Sequence, residues 1–300
     1  MIFLFLSGSV FNETLSTKNT TVSIVSCSFI GCVSSSKGGG LCIESSSAVS
    51  EVAYSYFNNC STDDIGGGIF AAGENFTVVY TCFAFCYSPD NGAAARVAAK
   101  VRQVYNYISI YQCDPAVRMG SQDALYGING LCSFDSTNSS FNHFKDAYTG
   151  LTVADNKKND TIIKLSTFIS NYAKNGGTIY YRDSKSLFIE FCNFINSSSG
   201  SQGLVRQDGS STCYFNNNCV NSPSLTKVFV GGKHIVTNCI MDRVYSYCDF
   251  PVTIGATTHN IRGLSTGDCQ GNRDTCQFTG SRSELTLSLL ALFMLIVNSF

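Results

Sequence analysis

Cysteine and histidine are the residues best able to do chemistry in this chain, which has fifteen of the first and three of the second. Zinc or redox chemistry needs thiolates and imidazoles in close pairs that meet a second pair. Cys82-x3-Cys86, Cys27-x4-Cys32 and Cys213-x5-Cys219 have no such partner, and His143, His234 and His259 lie far apart. Glycan cleavage needs paired carboxylates, or an acidic Ca²⁺ site with Lys or Arg for proton work. Asp63 and Asp64 precede Gly66, but only Asp90 answers them before Gly92. Asp135, Asp146, Asp155 and Asp160 keep no common offset, and Lys157 and Lys158 sit among acidic residues in what reads as a solvated loop. There is no G-x-S-x-G and no glycine-rich loop ending in Lys-Ser/Thr. The sequence therefore names no catalytic residue, no cofactor and no metal.

The cysteines read better as extracellular chemistry. Seven Asn-x-Ser/Thr acceptor sites begin at Asn12, Asn19, Asn59, Asn75, Asn138, Asn159 and Asn196. Together with fifteen cysteines they point to the secretory route. An odd count leaves at least one thiol free or paired between chains. Cys269 and Cys276 are the best disulfide candidates. Net charge is −1 and only 14% of residues are charged, against about 25% in an average soluble protein. No basic block is present, so nucleic acid is excluded as a partner. Hydrophobic residues make up 44%, enough for a sizeable core, and the four prolines suit a ladder that needs most backbone N–H groups.

The two ends differ. Ile2 to Leu6 is apolar and is followed by Ser7, Gly8 and Ser9. It reads as a clipped signal peptide or as a first strand. Leu285 to Phe300 is sixteen uncharged, mostly apolar residues. As a helix it spans roughly 24 Å. The expectation is a membrane anchor, either a transmembrane helix or a GPI-type signal, with Gly280, Ser281 and Ser283 as the small residues upstream.

A repeat organises the rest. Phe29, Phe57, Phe83, Tyr111, Phe141, Phe168 and Phe194 recur at spacings of 26 to 30 residues. Nine residues beyond each stands a glycine: Gly38, Gly66, Gly92, Gly120, Gly150, Gly177 and Gly203. Two residues before each stands a small residue: Cys27, Ser55, Thr81, Ser109, Ser139, Ser166 and Cys192. Residues i and i−2 share a strand face, so the aromatic and the small residue point inward together. The glycine marks a corner with positive φ or a close backbone approach. A unit of this size cannot bury its own apolar face, and stacking equal units solves that. The expected fold is all-β: a right-handed parallel β-helix of about eight or nine coils, followed by a hydrophobic tail helix. Its aromatic ladder fills the core. Cys32, Cys60 and Cys86 each lie three residues after the aromatic. Stacked about 4.8 Å apart they are within disulfide reach, or they serve as small buried hydrophobes.

FIGC (29–32), FNNC (57–60) and FISN (168–171), each followed by GGGL, GGGI or GGTI, resemble the FxxN and GGA(I/L/V) motifs of polymorphic-outer-membrane-protein repeats. Surface proteins of protist parasites carry similar repeats. The likeness covers residues 22 to about 205, and Gly120, Gly150 and Gly203 depart from it by lacking a second glycine. No autotransporter barrel pattern follows. The resemblance implies an extracellular, adhesin-like or coat role, and with no catalytic residue named the expected function is non-enzymatic.

The expected organisation is an N-terminal cap or residual signal segment (1–21), the β-helix (22–261), a stalk (262–284) and the anchor tail (285–300). Expected partners are the membrane, through the tail, and host-cell glycans or surface proteins. The alternative is a carbohydrate-active enzyme on the pectin-lyase-like β-helix.

Overall fold

The computed structural model describes residues 3–113, 123–144, 148–155, 159–183, 185–200, 202–222, 224–225 and 227–241, with the backbone alone of 254–255. These residues form a parallel β-solenoid of about eight turns. The described secondary structure is all strand, apart from turns and bends.

One turn serves as the pattern. It runs Thr21–Val25, Ser28–Ile30, Val33–Ser34 and Leu41–Glu44. The next turn lays Val49 on Thr21, Tyr56 on Ser28, Ser61 on Val33 and Ile69 on Leu41, all parallel and in register. Neighbours in such a ladder sit about 4.8 Å apart, so equal positions become columns along the axis. The solenoid already includes the N-terminal segment: Phe3–Ser7 pairs with Thr21–Val25, and Val10–Phe11 with Ser28–Phe29.

The core column on the short second strand runs Phe11, Phe29, Phe57, Phe83, Ile110, Ser139, Phe168, Phe194 and Val220. Rings stack at 4.8, 4.5 and 5.1 Å from Phe11 to Phe83, and at 5.0 Å between Phe168 and Phe194. Tyr111 and Phe141 do not belong to it. Tyr111 falls one place beyond Ile110 and Phe141 two places beyond Ser139, and both are half-exposed. Likewise Ser109 and Ser139 leave the small column, where Ile108 and Thr137 stand two places before the core residue. The volume lost at Ile110 and Ser139 is supplied from the strand that precedes each of them in its turn. There Val52 and Val78 give way to Tyr105 and Phe134, stacked at 4.7 Å. Large and small residues thus trade places within the core, as close packing requires. In the later turns the core residue is Val220, and Phe215 sits on the long strand beside Ile189.

The glycines also divide. Gly38, Gly66 and Gly92 share one column, with φ of +67°, +74° and +78°. Gly177 and Gly203 lie one place nearer the following strand, and Gly150 two places nearer. Gly120 lies outside the described residues. The expectation of one glycine corner per turn therefore holds for a single column only in the first three. Loop length varies by a residue or two between turns, so an equal offset in sequence does not land on an equal place in space.

A second inward column, three residues after the core position (two in the case of Ser222), is polar. It runs Cys32, Cys60, Cys86, Cys113, Asn142, Asn171, Ser197 and Ser222. Each donates to a core residue's carbonyl one turn earlier: Cys60 Sγ to Phe29 O at 3.4 Å, Asn171 Nδ2 to Ser139 O at 2.9 Å, Ser222 Oγ to Phe194 O at 3.3 Å. Asn142 and Asn171 also accept, through Oδ1, from the backbone N–H of Cys113 and Asn142 at 2.9 and 3.1 Å. Thiol, amide and hydroxyl do one job here, satisfying buried backbone carbonyls. No disulfide is present among the described residues, where Cys32, Cys60, Cys86 and Cys113 are buried thiols. At Cys60 the hydrogen bond with Cys32 pulls the thiol down, but that with Cys86 and burial together push it up; at Cys86 burial and Cys113 push it up, away from the reactive thiolate.

Candidate binding face

The strand that follows each glycine corner is shared by all turns, and its outward side carries the densest chemistry. At one outward position the register aligns Arg96, Tyr126, Thr152, Tyr180 and Arg206 on five successive turns. Two residues along, Arg182 is aligned with Asp208. The Arg96 guanidinium lies over the Tyr126 ring at 5.4 Å and that of Arg206 over Tyr180 at 5.6 Å, both within cation–π range. Tyr148 stacks on Tyr180 at 4.5 Å.

Hydrogen bonds lock the upper half of this face. Arg206 grips Asp208 with Nε to Oδ1 at 2.9 Å and Nη2 to Oδ2 at 3.0 Å, and the Tyr180 hydroxyl donates to the same carboxylate at 2.8 Å. Burial works against the Asp208 charge, yet Arg206 and Tyr180 hold its carboxyl below the usual range. Burial pushes the Tyr148 phenol up to about 12. Arg182 lies 3.9 Å from Asp155 and 3.8 Å from Asp183. At the lower end, Arg96 differs. Its Nε is buried and meets no hydrogen-bond acceptor.

Asp123 lies beneath the face, only 2% exposed, and accepts a hydrogen bond from the Thr152 hydroxyl. Desolvation by burial raises its carboxyl well above the usual range, outweighing the pull of Thr152 and Arg96. An acid whose folded pKa is raised loses stability as pH climbs from the unfolded value towards the folded one. Asp123→Asn should therefore melt above wild type at pH 8, and the gap should shrink towards zero near pH 3. A gap that stays constant with pH would mean that folding leaves the Asp123 pKa unchanged.

Of the residues expected from sequence, the acceptor asparagines divide by exposure. Asn12, Asn59 and Asn196 are exposed, whereas Asn19, Asn75, Asn138 and Asn159 are half-buried. Cys269, Cys276 and the tail 285–300 lie outside the described residues. Among the described residues no helix is long and apolar enough to cross a membrane. The face itself was not singled out in the sequence. Its signal is the same 26-to-30-residue period, read one place into the strand after the glycine, as in ARV (95–97), LYG (125–127), IYY (179–181) and VRQ (205–207).

No known protein family, curated protein or solved structure matches the chain.

Proposed function

We propose that this chain is a non-enzymatic extracellular surface protein, adhesin-like or part of a coat, tethered to the membrane through residues 285–300. The carrying observation is the Arg–Tyr face, which spans five turns on rigid strands. Tyrosine and arginine give broad contact area at low entropic cost, and they are enriched where proteins bind one another. Host-cell glycans or surface proteins are the partners such a face suits. The likeness of FIGC and FNNC with their GGG corners to polymorphic-outer-membrane-protein repeats supports the surface role. A right-handed solenoid follows from the strong bias of parallel crossover connections.

A carbohydrate-active enzyme is the second reading, and Asp123 favours it as a buried carboxylic acid poised to donate a proton. Against it, no carboxylate is registered on another carboxylate in any described strand pair. Asp135 and Glu190 have Lys164 between them, 3.0 Å from Asp135, and Asp155 and Asp183 share Arg182, at 3.9 and 3.8 Å.

The test is glycan-array and host-cell binding by the purified protein, wild type against Arg96→Ala/Arg206→Ala. The double variant should lose at least tenfold in affinity. Equal binding by both proteins removes the face from the reading. Product formation that vanishes in Asp123→Asn would favour the enzyme. Deleting 285–300 should release the chain into the medium.

A further inference from the structure

One edge of the solenoid carries no charge at all. It consists of the short second strand and the corner at each end of it. These are positions 8–12, 26–31, 54–59, 80–85, 107–112, 136–141, 165–170, 191–196, 217–221 and 238–241. None of them is Asp, Glu, Lys, Arg or His, in a chain that is 14% charged. The strip is about 16 Å wide and about 43 Å long at standard strand spacings, or about 700 Å². The strip mixes Ser and Asn with exposed apolar side chains, and exposed apolar surface invites association. Val10, Ile30, Phe85, Tyr107, Leu165 and Phe191 on it are between 39% and 66% exposed.

The same edge holds every exposed acceptor asparagine. Asn12, Asn59 and Asn196 lie on it and are exposed, while Asn19, Asn75 and Asn159 lie elsewhere and are half-buried. Asn138, also on the edge, has its side-chain Oδ1 buried. Asn59 and Asn196 occupy the second corner with φ of +53° and +48°, a left-handed conformation that asparagine tolerates better than most residues. The backbone N–H of each donates to the next turn, to Ala84 O and Asn221 O, while the side chain stays exposed.

We propose that N-linked glycans on Asn12, Asn59 and Asn196 take the place of charge on this edge, keeping its apolar rows wet and the chain monomeric. The inference rests on the secreted reading above. In each modification the asparagine Nδ2 bonds to the anomeric carbon of a sugar carried on a polyprenyl diphosphate. The carbon–oxygen bond to that diphosphate breaks, and the amide gives up one proton. Bulky uncharged sugar then covers rows that aromatic and aliphatic side chains would otherwise present to a second copy of the chain.

The experiment expresses the full chain in a eukaryotic secretory host. It maps site occupancy by mass spectrometry and measures association by analytical ultracentrifugation. Occupancy should be high at Asn12, Asn59 and Asn196. Asn12→Gln/Asn59→Gln/Asn196→Gln should shift the chain to dimers or larger species, and Asn19→Gln/Asn75→Gln/Asn159→Gln should not. Thr14→Ala/Ser61→Ala/Ser198→Ala removes the same acceptor sites but keeps asparagine in the left-handed corners, and it should associate equally. Glycans at Asn19, Asn75 or Asn159 with the edge sites empty would overturn the inference alone. So would association of the first variant without the Thr14/Ser61/Ser198 variant, or monomers in both. A chain retained in the cytosol without any glycan would overturn the secreted reading as well.

Discussion

Phe57→Ala should destabilise the protein by about 3–5 kcal/mol, the usual cost of emptying a well-packed aromatic site. Phe57 is fully buried and stacked on both sides, against Phe29 at 4.5 Å and Phe83 at 5.1 Å. Its flanking turns cannot collapse into the gap, because each is held in register by backbone hydrogen bonds on its other walls. At about 2–4 °C per kcal/mol for a chain of this size, Tm should fall by roughly 6–20 °C. A control separates the column from mere aromaticity. Ile110→Ala should cost about 2–5 kcal/mol, whereas Tyr111→Ala, at a half-exposed ring, should cost far less. Equal losses for those two would return Tyr111 to the core and break the register drawn here.

Gly66→Val comes next in size. Gly66 has φ of +74°, and a Cβ there would fall on the Ile69 carbonyl oxygen. A β-branched residue is a genuine outlier in left-handed backbone, and strain of about 1–3 kcal/mol adds to the clash. The loss should exceed about 3 kcal/mol. Ser61→Val is the companion. Ser61 is half-buried, and its backbone N–H still reaches Cys32 O at 2.8 Å whatever its side chain. Its change should stay within about 0.5 kcal/mol. Thermal melts of the two variants read the difference, and similar curves would show that the corner does not require glycine.

The period of the solenoid was legible because each turn repeats one demand, a large inward residue a fixed distance before a tight corner. Phe29, Phe57, Phe83, Phe168 and Phe194 meet it in plain sight. Tyr111 misleads because inside and outside alternate every residue, so a slip of one place changes the face; Phe141, two places on, falls in the corner with φ of +55°. Only the hydrogen-bonded register reveals that Ile110 and Ser139 face inward. Their deficit is made good by Tyr105 and Phe134, each five residues earlier on the preceding strand, and only the register shows that the two members of each pair face one core. The Arg–Tyr face was hidden for a related reason. Arg96, Tyr126 and Tyr180 look unremarkable alone and meet only when turns some 26 to 30 residues long are wound over one another. Asp123 is the extreme case: nothing in its neighbours along the chain announces that it will be 2% exposed.

The in-register stacking makes length a countable property. Phe57 and Phe83 occupy equal places, as do their neighbours on each strand, so the 26 residues from Tyr56 to Thr81 amount to one exchangeable unit. Excising them joins Ser55 to Cys82 without altering the face that any remaining residue presents. The rod becomes shorter by one step of about 4.8 Å and every other coordinate of the wall is preserved. Such a chain can change its reach in whole increments, gaining or losing turns, while what it displays at its far turns stays the same.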